Sequence, residues 1–228
     1  MRTFTLLLLL TAVAGRASGK DMALQQHVVG RGNTVLTYER TEYLTPSLYA
    51  VDGPYSRTVI DAKARTVLVL DKEEHTYWQV SFDSLRRETD EIASGKHLPE
   101  SKDRDPVTLK ATGITETIAG YPAAEYTLEG GEPKGSAWLA KDLESPADPA
   151  LWKDWTGLGA RLGSDGKLAE AIRAEKRVAL RTTTQRSALG TLVTVTAETT
   201  AVREESPPPD LGKVPDGYTR ASRHSLSR

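Results

Sequence analysis

Between Arg57 and Phe82 the chain carries three β-rich runs joined by two short charged turns, and no other stretch limits the fold as tightly. Arg57–Asp61 precedes the turn Ala62–Ala64, Arg65–Leu70 precedes the turn Asp71–His75, and Thr76–Phe82 completes the set. β-Branched and aromatic residues dominate, neither Pro nor Gly interrupts, and both turns are short, so the run predicts an antiparallel meander. Its middle strand is apolar on both sides. Leu68 and Leu70 point one way, Val67 and Val69 the other. Such a strand needs cover on two faces, from helices, a second sheet or a bound ligand.

The N-terminus reads as an export signal. Arg2 supplies a positive start, Leu6–Leu10 with Ala12–Ala14 an apolar core, and small residues offer cleavage after Ala14 or Ala17. The apolar run falls short of the ~20 residues of a membrane span. No Cys stands near the cleavage site for acylation, and no second long apolar run follows, so no transmembrane anchor is expected in the mature protein. What remains is long enough for one sizeable domain. With 30 basic and 31 acidic residues the chain has a net charge of −1, which gives no overall electrostatic footprint for nucleic acid or an anionic membrane. Cysteine is absent, so packing rather than disulfides holds the fold.

Four parts are expected: a signal peptide at 1–17, a polar N-terminal segment at 18–33, a single β-rich domain at 34–220, and a disordered polar tail at 221–228. Asp21–Gly32 reads as irregular. Thr34–Leu44 is a strand, Leu48–Val51 another, and the meander follows. Asp83 is placed as the N-cap of a helix running to about Ser94. Gly95–Pro106 is a charged connection. Strands resume at Val107–Thr117, turn at Ile118–Tyr121, return over Pro122–Glu129 and continue at Gly135–Lys141 with Trp138. Asp148-Pro149 starts a helix that carries Leu151, Trp152, Trp155, Leu158 and Leu162 and stops at Gly163. A second helix at Lys167–Lys176 sets Leu168 and Ile172 on one side. Two strands, Arg177–Arg186 and Leu189–Arg203, hinge near Ser187, and Pro207–Pro209 stiffens the exit. The sum is an α+β architecture, a curved, mostly antiparallel sheet wrapped round helices.

Chemistry-bearing motifs are sparse. His27, His75, His97 and His224 are scattered, and no Cys is available to share a zinc ion with them. His75 beside Glu73 and Glu74, and Asp103 with Asp105, read as solvated turns and loops. No nucleophile elbow or phosphate cradle is present, and Gly157, Gly159 and Gly163 follow a helical stretch rather than the strand a dinucleotide loop requires. No catalytic residue, metal site or cofactor is assigned. The four tryptophans are more informative. Trp78 and Trp138 lie on strands, and Trp152 and Trp155 share a helix face. They either staple the helix to the sheet or line an apolar cavity between the two.

Several segments resemble an exported bacterial family. They are Val59–Asp61 through Val69–Asp71 to Thr76–Trp78, the turn Ile118-Ala119-Gly120-Tyr121 continuing to Tyr126, Trp138–Asp142, and the closing Val214-Pro215-Asp216-Gly217-Tyr218. Together, over about Thr34–Tyr218, they are similar to the domain-of-unknown-function family DUF4412. The resemblance implies a periplasmic or secreted protein, more distantly similar to the LolA/LolB lipoprotein-carrier fold. That fold is an open, incomplete β-barrel whose concave face is covered by helices. It carries no catalytic residue onto this chain, and ligand transport would follow from fold alone.

Two functional readings result. In the first, the chain is an exported non-enzymatic protein that binds a lipid, acyl chain or lipoprotein along Leu68, Leu70, Trp78, Tyr126, Trp138, Trp152 and Trp155. In the second, it is an envelope structural or protein-interaction module with a filled core, meeting an envelope protein through Thr34–Leu44 or the Gly95–Pro106 loop.

Overall fold

The computed structural model describes residues 20–93, 107–131, 133–155, 158, 164–188 and 191–221. The expected signal peptide, the Gly95–Pro106 connection, His97, Asp103, Asp105, Gly157, Gly159, Leu162, Gly163, His224 and the tail from 222 lie outside the described residues. In chain order the elements are β1 (Met22–Arg31), β2 (Val35–Leu44), β3 (Leu48–Asp52), β4 (Ser56–Asp61), β5 (Thr66–Asp71), β6 (Thr76–Ser81) and α1 (Phe82–Ala93). Next come β7 (Val107–Ile118), β8 (Tyr121–Gly130), β9 (Lys134–Glu144), α2 (Pro149–Trp152) with a 3-10 turn over Lys153–Trp155, and α3 (Ser164–Ala174). The chain closes with β10 (Arg177–Ala188), β11 (Thr191–Glu204) and β12 (Thr219–Arg220).

All twelve strands belong to one open sheet in the order β12-β6-β5-β4-β3-β2-β1-β11-β10-β9-β8-β7. Every pairing is antiparallel except β12 on β6. The fold class is therefore the one read from the sequence, a large and mostly antiparallel sheet with few helices, and β12 and β7 are its edges.

The meander forms as predicted, with Val59 opposite Leu68 and Val67 opposite Val80. Both faces of β5 are covered. On one side Val67 packs with Ile60 and Trp78 beneath Phe82 and Leu85 of α1 and beneath Trp152, Trp155 and Leu158. On the other, Leu68 and Leu70 join Ala50 and Val59 beneath Leu211, with Val214 and Tyr218 alongside. This second cover is the segment leading to β12, which hydrogen-bonds along β6 through Thr219 N–H to His75 O and Ala221 N–H to Tyr77 O.

Three local expectations are corrected. Asp21–Gly32 is not irregular: Met22–Arg31 is a strand between β2 and β11. Met22, Leu24, Gln26 and Val28 are all buried at alternate positions, which is the strand period. The polar run Gln25-Gln26-His27 hides that period, because Gln26 is satisfied across the ladder. Its amide donates to Glu42 at 2.9 Å and its carbonyl accepts from Arg40 at 2.7 Å. Second, Asp83 does not cap α1. Ser81 Oγ accepts the Ser84 N–H at 3.1 Å, and the Asp83 carboxylate takes Arg65 at 2.7 Å. Third, the helix begun at Asp148 is a single α-turn followed by the 3-10 turn. Its start is as expected: the Asp148 side chain accepts from Ala150 N–H at 2.9 Å, with Pro149 in the first turn.

The turn at Ile118–Tyr121 also forms. Ala119 and Gly120 have φ of 50° and 85°. Positive φ at both central residues is the two-residue hairpin turn whose twist matches its strands.

Candidate functional site

The seven residues expected to line a ligand surface fall in four separate packed clusters. Trp78, Trp152 and Trp155 come together under α1. Leu68 and Leu70 lie on the opposite face of the same strands, under Leu211. Trp138 packs with Met22, Leu24 and Leu180, and Arg181 stacks its guanidinium on the ring at 5.4 Å. Tyr126 borders a fourth cluster, where Leu168 of α3 meets Val107, Leu128, Ala137 and Leu139.

The tryptophan cluster is filled from within. Phe82 and Trp155 have ring centroids 5.1 Å apart, and Trp155 and Trp152 meet edge-to-face at 6.4 Å. The short segment carrying both tryptophans is tied down by polar contacts. Arg65, in the β4–β5 turn, pairs with Asp154 as well as Asp83, and Arg86 of α1 donates to the Asp154 carbonyl at 2.7 Å. Trp152 is fixed by its indole N–H, which donates to Pro46 O at 2.9 Å.

Outside this cluster, between α2, α3 and the β9–α2 connection, lies a cleft of about 430 Å³. Buried Trp152 and half-buried Ala147 and Arg173 form its inner part, and Pro149, Glu144, Lys153 and Lys176 stand exposed around it. Arg173 projects over Trp152 with its guanidinium carbon 4.8 Å from the ring centroid. Burial pushes the Arg173 pKa down, partly opposed by the charge of Glu170. Among the described residues no carboxylate lies within ion-pair distance of Arg173. A guanidinium withdrawn from water and stacked on an indole keeps its in-plane donors for a planar anion. The apolar walls suit a hydrocarbon attached to that anion. A second depression, of about 590 Å³ around Thr45, Ser47, Lys63 and Leu151, is broader and offers only the exposed Lys63 as a cation.

Sequence reading found Trp152 but missed Arg173. The available signal was weak: Arg173 follows Ile172 and so borders the apolar side of α3. That it meets Trp152 is a tertiary fact.

Among the described residues no group of three or more His, Asp or Glu side chains is placed to hold a metal ion. No described helix is long and apolar enough to cross a membrane.

A family model described as "Domain of unknown function (DUF4412)" matches residues 37–218. The chain belongs to the DUF4412 family. None of the curated proteins compared matches this DUF4412 chain. Among solved structures it is similar to PNGF-II at 12% identity and a TM-score of 0.46, covering 90% of this chain and 32% of that one. It thus spans about a third of the length of PNGF-II. A DUF1329 family protein from Desulfovibrio piger gives 11% identity, TM-score 0.34, and coverage of 86% and 90%. A LolA superfamily protein from Nitrosomonas europaea gives 8%, 0.31, and 85% and 90%. No score reaches 0.5, and nothing about the DUF4412 site is carried over from these structures.

Proposed function

We propose that this DUF4412 protein is an exported, non-enzymatic binding protein of the cell envelope that holds an amphipathic anion. The ligand is a lipid or acyl chain whose charged head meets Arg173 while its hydrocarbon lies along Trp152, Ala147 and Pro149. The carrying observation is the Arg173 guanidinium, withdrawn from water on the Trp152 ring at the inner end of a 430 Å³ cleft without a protein carboxylate against it. Export is supported by the N-terminal pattern of Arg2, the Leu6–Leu10 run and the small residues that follow. The packing of Leu68 and Leu70 under Leu211 favours a ligand at this cleft over one lying along the meander.

The test compares oleate with its neutral glycerol monoester, both read by quenching or enhancement of tryptophan fluorescence. Oleate is expected to bind more tightly, and Arg173→Gln to weaken oleate about tenfold, as loss of one charge-assisted contact would. The same substitution should leave the neutral ester unchanged. Equal oleate affinity in the variant, or no binding of either compound, would overturn the reading.

One observation favours the interaction-module reading. β7 pairs only with β8, and Ala111–Thr117 are exposed along it. An unpaired edge of this kind can accept an extended segment of an envelope protein as a further strand. A reproducible crosslink at β7 in a protein that ignores oleate would select this alternative.

A further inference from the structure

The end of the sheet farthest from the cleft carries the tips of two neighbouring hairpins. β1 is shared: it pairs with β2 on one side and β11 on the other, so the β1–β2 and β10–β11 tips lie side by side. They touch closely enough that a Cβ added at Gly32 would stand 3.4 Å from a Val193 methyl. Here the apolar rule is reversed. Val35 is 68% exposed, Leu192 62% and Leu36 46%, three of the six large apolar side chains left exposed among the described residues.

Two features say what covers them. The first is that both faces of the sheet end are apolar. Val35 aligns with Arg31 and, across β1, with Thr194, and so shares a face with Leu192. Leu36 aligns with Gly30 and Val195 on the other face. A protein docked on one face would leave the other wet, whereas insertion of the whole end into a bilayer interface removes all three from water together. The second is charge. Residues 28–37 and 184–194 contain Arg31 and Arg186 and no Asp or Glu, in a chain that is elsewhere slightly acidic. The net charge of −1 hides this local pair.

We propose that this end of the sheet is a membrane-docking tip, in which Val35, Leu36 and Leu192 enter the headgroup region of an anionic lipid surface while Arg31 and Arg186 meet its charged headgroups. A shallow insertion backed by two cations gives reversible binding that falls with salt. The site is independent of the cleft, because β10 runs from beside Lys176 at the cleft to Ala188 at the tip.

The natural absence of cysteine allows a clean test on the full chain. Val35→Cys, Leu192→Cys and, at the opposite end of the sheet, Lys63→Cys are each labelled with an environment-sensitive dye. Each is mixed with vesicles of phosphatidylcholine with or without phosphatidylglycerol. Dye at 35 and 192 is expected to brighten and shift to the blue on phosphatidylglycerol vesicles, with dye at 63 unchanged. Arg31→Gln with Arg186→Gln should weaken the response on the order of tenfold. Because every variant keeps the same N-terminus, association through the Leu6–Leu10 run would show no preference for the tip and would overturn the proposal. So would silence at 35 and 192, an undiminished response in the double Gln variant, or a dimer broken by Val35→Asp without any vesicle response.

Discussion

Truncating Leu211 tests whether the segment before β12 is part of the cooperative fold. Leu211 is 2% exposed and packs on Ala50, Val59, Leu68 and Leu70. Its carbonyl accepts from Arg57 Nη1 at 3.3 Å. Arg57 is itself held by Asp52 through two contacts of 3.0 and 3.1 Å, so the backbone cannot slump into the space that Leu211→Ala would open. Buried Leu→Ala changes cost about 2–5 kcal/mol, with the larger values where the cavity persists. One wall of this site is a peripheral segment that can relax, which places the expected loss near 3 kcal/mol. For a domain of this size each kcal/mol moves Tm by about 2–4 °C, so a fall of about 6–12 °C is expected. Urea unfolding read by tryptophan fluorescence is the assay, because Trp78, Trp152 and Trp155 lie on the other side of the sheet and report the whole domain. If the segment detached locally before the domain unfolded, those tryptophans would register little of the loss. A change in unfolding free energy below about 0.5 kcal/mol, within the range of neutral surface substitutions, would refute the claim that this cover is integral.

Three further outcomes are expected. Gly135→Ala should destabilise by more than about 3 kcal/mol in urea unfolding, since a Cβ there would sit 1.9 Å from the Thr183 carbonyl oxygen on a backbone with φ of 139°; a shift under 1 kcal/mol would contradict the β9–β10 register. Burial raises the Glu42 carboxyl above its ordinary value despite the opposing charge of Arg40, so the folded state holds this proton more tightly than the unfolded chain and stability falls as pH rises from about 4.3 through the raised value. Glu42→Gln should therefore gain stability relative to wild type at pH 7 compared with pH 4, and a difference independent of pH would count against the assignment. Asp52 has the opposite sign: burial alone would raise its pKa, but hydrogen bonds from Arg57 and Lys72 prevail and lower it. Its contribution is present above about 3.9 and lost as pH falls through the depressed value, so Asp52→Asn should be costly at pH 7 and nearly neutral in strong acid.

The meander was legible because its period-2 pattern, turns and β-branched content agree over Arg57–Phe82, and residue parity alone assigned Leu68 and Leu70 to one face. The identity of their cover was not legible, since Leu211 lies 154 positions from Arg57 and has no local mark of a sheet contact. β1 was missed for a related reason. A buried Gln looks like loop until Glu42 and Arg40, on a strand not yet read, complete its hydrogen bonds. The site was legible in half. Trp152 announced itself by size and helix position, but the value of Arg173 rests on packing across the gap from α3 to α2. Overall charge misdirected the reading of surfaces, because Arg31 and Arg186 become neighbours only through the pairing of β1 with β11.

The Leu211 cover also sets an order of assembly. Leu68, Leu70 and Val59 are synthesised early, and the residues that shield them come last among the packed elements, 154 positions after Arg57. At ordinary translation speeds that gap is on the order of ten seconds. Throughout it a flat apolar β-surface and the open edge of β6 stand exposed, the combination most prone to sticking to other chains. A nascent or exported chain of this design depends on some holding factor until Tyr218 arrives, and a premature stop after β11 would yield a protein with a nearly complete sheet and an aggregation-prone back.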